Sequence, residues 1–359
     1  MEKTNKLESL YLYVTSYCNL HCGHCWVTPK TSASGARPKD APISIFKEAI
    51  KQALPLGLKM IKISGGEPLI RNDILELLEY TSNLRLFTHL ETNGICVDKT
   101  MADTLKRLKI GNVSISLDAD TPGLHDTLRG KTGAFEKTIL AIKMLKERGL
   151  PVEIVMSVYA ANAKNIPGAV SRAADLGVNC FKINCLAPIG RGKMIHKKGQ
   201  ALSVPDWLKL NKKVRGLQKK FPFPVYLDIP MAFKTLDEIR YNVNPCCIES
   251  VIGVLPDGNL SVCGIGTHFK SLRFGSIGET SIREVWNNSR FLAYIRKSIP
   301  HKLKGVCGNC IYKSYCMGKC RADAYCQTGD ILAPYPFCEE AEKLGLFPSD
   351  AYIKRKAFK

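Results

Sequence analysis

No stretch of this chain is apolar for the roughly 18 residues that a membrane helix needs, which sets aside a helical membrane protein. The opening residues Met1-Glu2-Lys3-Thr4-Asn5-Lys6 lead directly into the apolar run Leu10-Tyr11-Leu12-Tyr13-Val14, with no signal-peptide core or cleavage site. A cytoplasmic protein without a membrane partner is therefore expected. Internal repeats and low-complexity tracts are also missing. Acids are scarce: 32 Asp and Glu against 52 Lys and Arg leave a formal charge of +20. Such a surface attracts acidic partners. Ten basic residues between 191 and 220 face a single acid, Asp206, and the tail Lys354-Arg355-Lys356 is basic too. Solvated helix faces, and a docking face for an acidic peptide or an acidic electron carrier, are both open readings. Nucleic acid is not an expected partner, because no binding motif accompanies the charge.

Cysteine is abundant. Fifteen cysteines in 359 residues, an odd number in a chain without an export signal, argue for metal ligation rather than a disulfide scaffold. Three of them, Cys18, Cys22 and Cys25, lie in the run Cys-Asn-Leu-His-Cys-Gly-His-Cys. Three thiolates in one short loop can hold three irons of a cubane cluster and leave the fourth iron open. Zinc, with His21 or His24 as a fourth ligand, is the competing reading of these residues alone. Downstream come Gly65-Gly66-Glu67-Pro68, then Glu91-Thr92-Asn93-Gly94, then Ser114-Ile115-Ser116-Leu117-Asp118.

Apolar runs at 11–14, 60–63, 86–90, 113–117, 152–158 and 180–185 read as buried parallel strands, with helix-period segments between them. Six such units predict an α/β fold, a six-stranded (βα)6 partial TIM barrel rather than the full eight. Every motif above then falls at the carboxyl end of a strand, where barrel enzymes keep their chemistry. Composition changes at Phe221-Pro222-Phe223-Pro224, which reads as a linker. Nine of the fifteen cysteines follow within residues 246–338.

Over roughly residues 8–200 the ordered motifs resemble the radical S-adenosylmethionine (SAM) superfamily. The spacing of Cys247, Cys263, Cys307, Cys310, Cys316, Cys320 and Cys338 resembles its SPASM extension, a small cysteine-rich α+β domain. The expected organisation is a barrel at 1–220, a linker at 221–240, the SPASM domain at 241–345 and a basic tail at 346–359. The resemblance implies SAM and three 4Fe–4S clusters as cofactors. Cys18, Cys22 and Cys25 would hold the catalytic cluster. Cys307, Cys310, Cys316 and Cys338 would hold an outer auxiliary cluster. Cys247, Cys263 and Cys320 would hold an inner one, whose fourth position is Cys246, Cys326 or open. Gly65, Gly66, Glu67, Thr92 and Asn93 would line the SAM site, with Glu67 on its ammonium. Ser116 and Asp118 would face its ribose, Arg191 and Arg129 its carboxylate end.

For each polar residue a plainer reading stands beside this one. Glu67 could cap its loop, Ser116 could be a core hydroxyl, and either Arg could be a surface residue. Trp26 could shield the cluster or simply pack, and Cys96, Cys180 and Cys185 lack ligand spacing. Sulfatase-maturing relatives carry an Asp after the second inner-cluster cysteine, whereas here Gly264 follows Cys263. The implied activity is a peptide or protein maturase forming a thioether or carbon–carbon crosslink in a ribosomally made peptide. A tetrapyrrole side-chain decarboxylase or a sugar or alcohol dehydrogenase is the alternative. Expected partners are the peptide, an acidic donor of flavodoxin or ferredoxin type, and a separate leader-recognition protein, since Cys18 comes so soon after the start.

Overall fold

The computed structural model describes residues 5–31, 40–241 and 248–353. Six parallel strands pair in sequence order: β1 (Ser9–Tyr13), β2 (Met60–Ser64), β3 (Phe87–Thr92), β4 (Asn112–Ser116), β5 (Val152–Val158) and β6 (Cys180–Cys185). These are the strands expected from the apolar runs, shifted at their ends by no more than a residue or two. Between them run α1 (Ile43–Ala53), α2 (Ile74–Asn83), α3 (Lys99–Arg107), α4 (Pro122–Arg129), α5 (Ala134–Glu147) and α6 (Ile166–Asp175). After β6 come a short α7 (Gly192–Lys197) and α8 (Val204–Gln218). Local chemistry sets several ends. Asp98 accepts from Met101 N at the start of α3, and Ser203 with Asp206 forms a capping box on α8.

The strands alternate rather than being apolar on both faces. Leu10, Leu12, Ile61, Ile63, Leu90, Val113, Ile115, Ile154 and Ile183 point outward into the helix layer and are fully buried. Burying such a side chain contributes about 1.5–3 kcal/mol, so this layer is the main stabilising element. The register places Tyr11 beside Lys62, Lys62 beside His89, Glu91 beside Ser114, Ser114 beside Glu153 and Val155 beside Lys182. The inner face is therefore polar. A closed barrel fills its interior with branched apolar residues, whereas this partial barrel lines it with hydrogen-bonding groups.

The sheet continues past both expected edges. Val225–Leu227 (β7), inside the stretch read as a linker, pairs parallel with β6. On the far side Val251–Val254 (β8) pairs parallel with β1 and turns through Asp257-Gly258 into Asn259–Ser261 (β9) and Arg273–Ser276 (β10). Gly258 sits at φ +83, the left-handed turn position that the Asp-Gly pair announces. Ten strands thus form one sheet in the order β10-β9-β8-β1-β2-β3-β4-β5-β6-β7. The cysteine-rich region shares the backbone of the barrel.

Candidate functional site

The loop after β1 carries the cysteine triplet, and backbone contacts fix its course. His21 N and Gly23 N donate to Arg129 and Leu128 carbonyls at the end of α4, and Arg191 N donates to Cys25 O. The glycine loop after β2 lies directly against it: a Cβ on Gly66 would stand 1.8 Å from Tyr17 O. Gly65 takes φ +129, which a side chain would strain. Cys18, Cys22, Cys25, Gly65, Gly66, Glu67, Thr92, Asn93, Ser116, Arg129 and Arg191 all line one cavity of about 220 Å³. Residues from six separate stretches converge as their motifs predicted.

Several roles differ in detail. Glu67 is buried, and its carboxylate accepts from Leu69 N at 3.1 Å, Thr92 Oγ1 at 2.7 Å and Asn93 N at 2.7 Å. It caps its own turn and ties the glycine loop to the Thr-Asn-Gly loop, so the plainer reading describes its hydrogen bonds. The Asn93 amide donates to Asn19 Oδ1 at 2.7 Å, steadying the residue beside Cys18. Asp118 does not line the cavity. It is fully buried and holds Arg129 NH2 at 2.7 Å and His24 Nε2 at 3.3 Å, and it accepts from Ser157 N at 3.0 Å. β4 ends at Ser116, two residues before Asp118, whose fully buried carboxylate is engaged by Arg129 rather than open to a ribose. Burial alone would raise its pKa, but Arg129 and the histidines around it hold it down.

Arg129 lies 3.7 Å from Cys22 Sγ. Arg191 donates from Nε to Cys22 O at 2.7 Å, while its buried NH2 has no hydrogen-bond partner among the described residues. A cluster on the three thiols and an anionic group on Arg191 fit what these residues leave unsatisfied. Burial, with Glu67 nearby, pushes the Cys18 thiol up to about 12, so iron must displace its proton. Burial lowers His24 to about 4 and leaves it neutral beneath Asp118, while its Nδ1 lacks a partner among the described residues.

In the cysteine-rich region Cys307, Cys310, Cys316 and Cys338 line one small cavity, the grouping expected for the outer set. The hydrogen bond with Cys338 lowers the Cys307 thiol to about 7. Cys263 opens the Gly264–Thr267 turn, and Cys320 lines a separate, larger cavity. Cys246 and Cys247 lie outside the described residues. Cys326 is half-buried with its sulfur 4.0 Å from Pro188 O. A Cβ on Gly264 would stand 2.3 Å from the Tyr13 ring and 2.5 Å from Trp26, so an Asp there has no room. Trp26 packs edge-on against Tyr13 at 5.9 Å, and its carbonyl meets His268 Nε2 at 2.6 Å, joining the triplet loop to the Cys263 loop. Asp257 stabilises the turn into β9, accepting from Asn259 N at 3.1 Å.

Comparison with known proteins places this geometry. The radical SAM superfamily profile matches residues 12–161, and that of SPASM, an iron–sulfur cluster-binding domain, matches 242–311. The AdoMet-dependent heme synthase of Methanosarcina barkeri is 30% identical over 354 residues, covering 93% of this chain and 97% of that protein. The chain belongs to the radical SAM superfamily and carries a SPASM domain. This radical SAM protein is also 23% identical over 366 residues to the PqqA peptide cyclase of Xanthomonas axonopodis pv. citri, covering 97% and 94% of the two chains. In fold it is similar to SuiB of Streptococcus suis bound to S-adenosylmethionine, with TM-score 0.75 at 18% identity over 93% of this chain and 78% of that one. Native anSMEcpe with bound AdoMet gives TM-score 0.71 at 20% identity over 94% and 96%. The radical SAM and SPASM domains make it an enzyme that uses SAM and iron–sulfur clusters. Among the described residues no helix is long and apolar enough to cross a membrane.

Two features escaped the sequence reading. One is the His24–Asp118–Arg129 group, whose members are far apart in sequence. The other is a cavity of about 850 Å³ between the end of β6, the start of α8 and the helix Pro336–Lys343. Asn184 lines both this cavity and that of the cysteine triplet.

Proposed function

We propose that this enzyme abstracts hydrogen from a peptide or protein and forms a thioether or carbon–carbon crosslink in it. The observation that carries this reading is the larger cavity. It shares the wall residue Asn184 with the cavity of the cysteine triplet, has Cys320 in its wall and mixes apolar with charged lining in which carboxylates outnumber lysines. Trp207, Leu202, Phe337 and Leu344 supply apolar surface, and Asp228, Asp323, Glu339 and Glu340 supply carboxylates. A peptide segment suits such a lining.

Cys18, Cys22 and Cys25 would hold the catalytic cluster, Arg191 would take the SAM carboxylate, and the Gly65–Gly66 backbone would face its amino end. Bound there, cluster and SAM together supply a 5′-deoxyadenosyl radical. Asp118 keeps Arg129 in place beside Cys22, and Glu67 keeps the two motif loops together. Two auxiliary clusters, on Cys307, Cys310, Cys316 and Cys338 and on Cys247, Cys263 and Cys320, would bring the total to about twelve irons. The exposed lysines Lys209, Lys212 and Lys213 on the outer face of α8 suit an acidic electron donor or leader.

The similarity to heme synthases favours a second reading, a tetrapyrrole substrate. The cavity chemistry weighs against it, because tetrapyrrole carboxylates would meet carboxylates there. Anaerobically reconstituted protein with SAM and dithionite separates the two. A cognate precursor peptide should raise 5′-deoxyadenosine formation, and a carboxylated porphyrin should not. Stimulation by the porphyrin alone would reverse the assignment.

A further inference from the structure

The barrel interior and the larger cavity both present acceptors to the space, and apart from Arg191, the residue assigned to SAM, their lining cations are paired or hydrogen-bonded. On the floor of the SAM-side cavity stands Glu91, fixed by Lys62 Nζ at 2.5 Å and Ser64 Oγ at 2.6 Å. It is enclosed in the barrel yet keeps 36% of its side-chain surface open to the cavity. A carboxylate has about four lone-pair sites, so two hydrogen bonds leave it able to accept more. Burial would raise its pKa, but Lys62 and His89 hold it down to about 2, which keeps it an anion. The buried Oδ1 of Asn184, a residue lining both cavities, has no hydrogen-bond partner among the described residues.

In the larger cavity Lys319 pairs with Asp228, and Lys343 lies 3.8 Å from Glu339. Asp323 and Glu340 line it without an ion pair among the described residues. The lysines of α8 point the other way: Trp207 and Val204 face the cavity, while Lys209, Lys212 and Lys213 are exposed. In a chain of net charge +20, the larger cavity is thus lined by four carboxylates, Asp228, Asp323, Glu339 and Glu340, against the two lysines Lys319 and Lys343. Asp323 already accepts from Gln327 Nε2 at 3.0 Å and Glu340 is exposed, so the acceptor that most needs a donor from a ligand is the buried Asn184 Oδ1. We propose that the segment entering this site carries a basic side chain, lysine or arginine, directed along the Glu340–Asp323–Asn184–Glu91 path. This rests on the peptide reading above and adds the chemistry of the peptide.

The test uses reconstituted full-length protein with SAM and two fluorescein-labelled peptides of glycine and leucine, identical except for a central Lys or Glu. Fluorescence anisotropy should show the Lys peptide binding at least about fivefold more tightly at low salt. Glu340→Lys, at an exposed position, should reverse the order of preference, which a structural disturbance would not do. Glu91→Gln should weaken the Lys peptide and leave the Glu peptide no weaker than before. Equal affinities, or a preference that Glu340→Lys leaves unchanged, would overturn the inference and leave the peptide reading standing. Binding of neither peptide would remove both.

Discussion

At the residue scale, the site depends on close approach and on compensated charge. Gly66 is the tightest point, since any side chain there meets Tyr17 O beside Cys18. Gly66→Ala should lose SAM binding by isothermal titration and lose about 1–3 kcal/mol of stability in a denaturant melt. Arg129 is the cation that lets Asp118 stay charged without solvent. Arg129→Ala strands that carboxylate and should cost about 3–5 kcal/mol, whereas adding Asp118→Asn should recover much of the loss. A double-mutant cycle measures this directly, and an uncoupled pair would contradict the pairing. The chemistry of these residues was legible in their motifs, but their partners were not. Glu67 and Asp118 were expected to touch SAM. Glu67 lines the triplet cavity but also caps its own loop, and Asp118 lies under Arg129 outside that lining, because hydrogen-bond satisfaction of a buried carboxylate is decided by tertiary neighbours.

At the element scale, β1, β2, β4 and β5 were readable because Leu, Ile, Val or Met recurs at every second outward position, while β3 and β6 carry Leu90 and Ile183 at the centre of theirs. The inner face was readable too, in the Lys62, Glu91, Ser114 and Glu153 that alternate with them, yet runs taken as apolar concealed it. Helix α4 was not expected, and its His125 has a consequence. His125 Nδ1 accepts from Asp118 N at 3.2 Å, which requires an unprotonated nitrogen, and burial lowers its pKa to about 4. The unfolded value is higher, so the contribution to stability is complete above about pH 6.5 and is lost as pH falls toward 4. His24 and His89, also lowered to about 4 by burial, act in the same direction. Metal-free protein should therefore lose several kcal/mol of stability between those pH values, up to about 3 kcal/mol from each histidine. Thermal melts across that range test it, and His125→Gln should flatten the acid limb.

At the scale of the whole molecule, the order of motifs announced a barrel with its chemistry on one rim and a cysteine-rich region after it. What it could not announce is how these parts join. β7 and β8 are only three and four residues long, too short for a period to show, yet they make one sheet of ten strands. That junction brings Gly264, beside Cys263, against Tyr13 and Trp26, places Cys320 in the wall of the larger cavity, and leaves Asn184 in the lining of both cavities. The separation of charge, basic outside and acceptor-lined within, is likewise a property of the folded chain. Net charge alone points to acidic partners, and the cavity points to a basic segment.

The most direct test is mass spectrometry of a candidate precursor peptide, co-expressed with this enzyme or with a Cys18→Ala, Cys22→Ala, Cys25→Ala variant. The account predicts a peptide lighter by two hydrogens with the intact enzyme only, with fragmentation interrupted between two residues. An unchanged peptide, alongside decarboxylation of a supplied porphyrin by the same preparation, would contradict it.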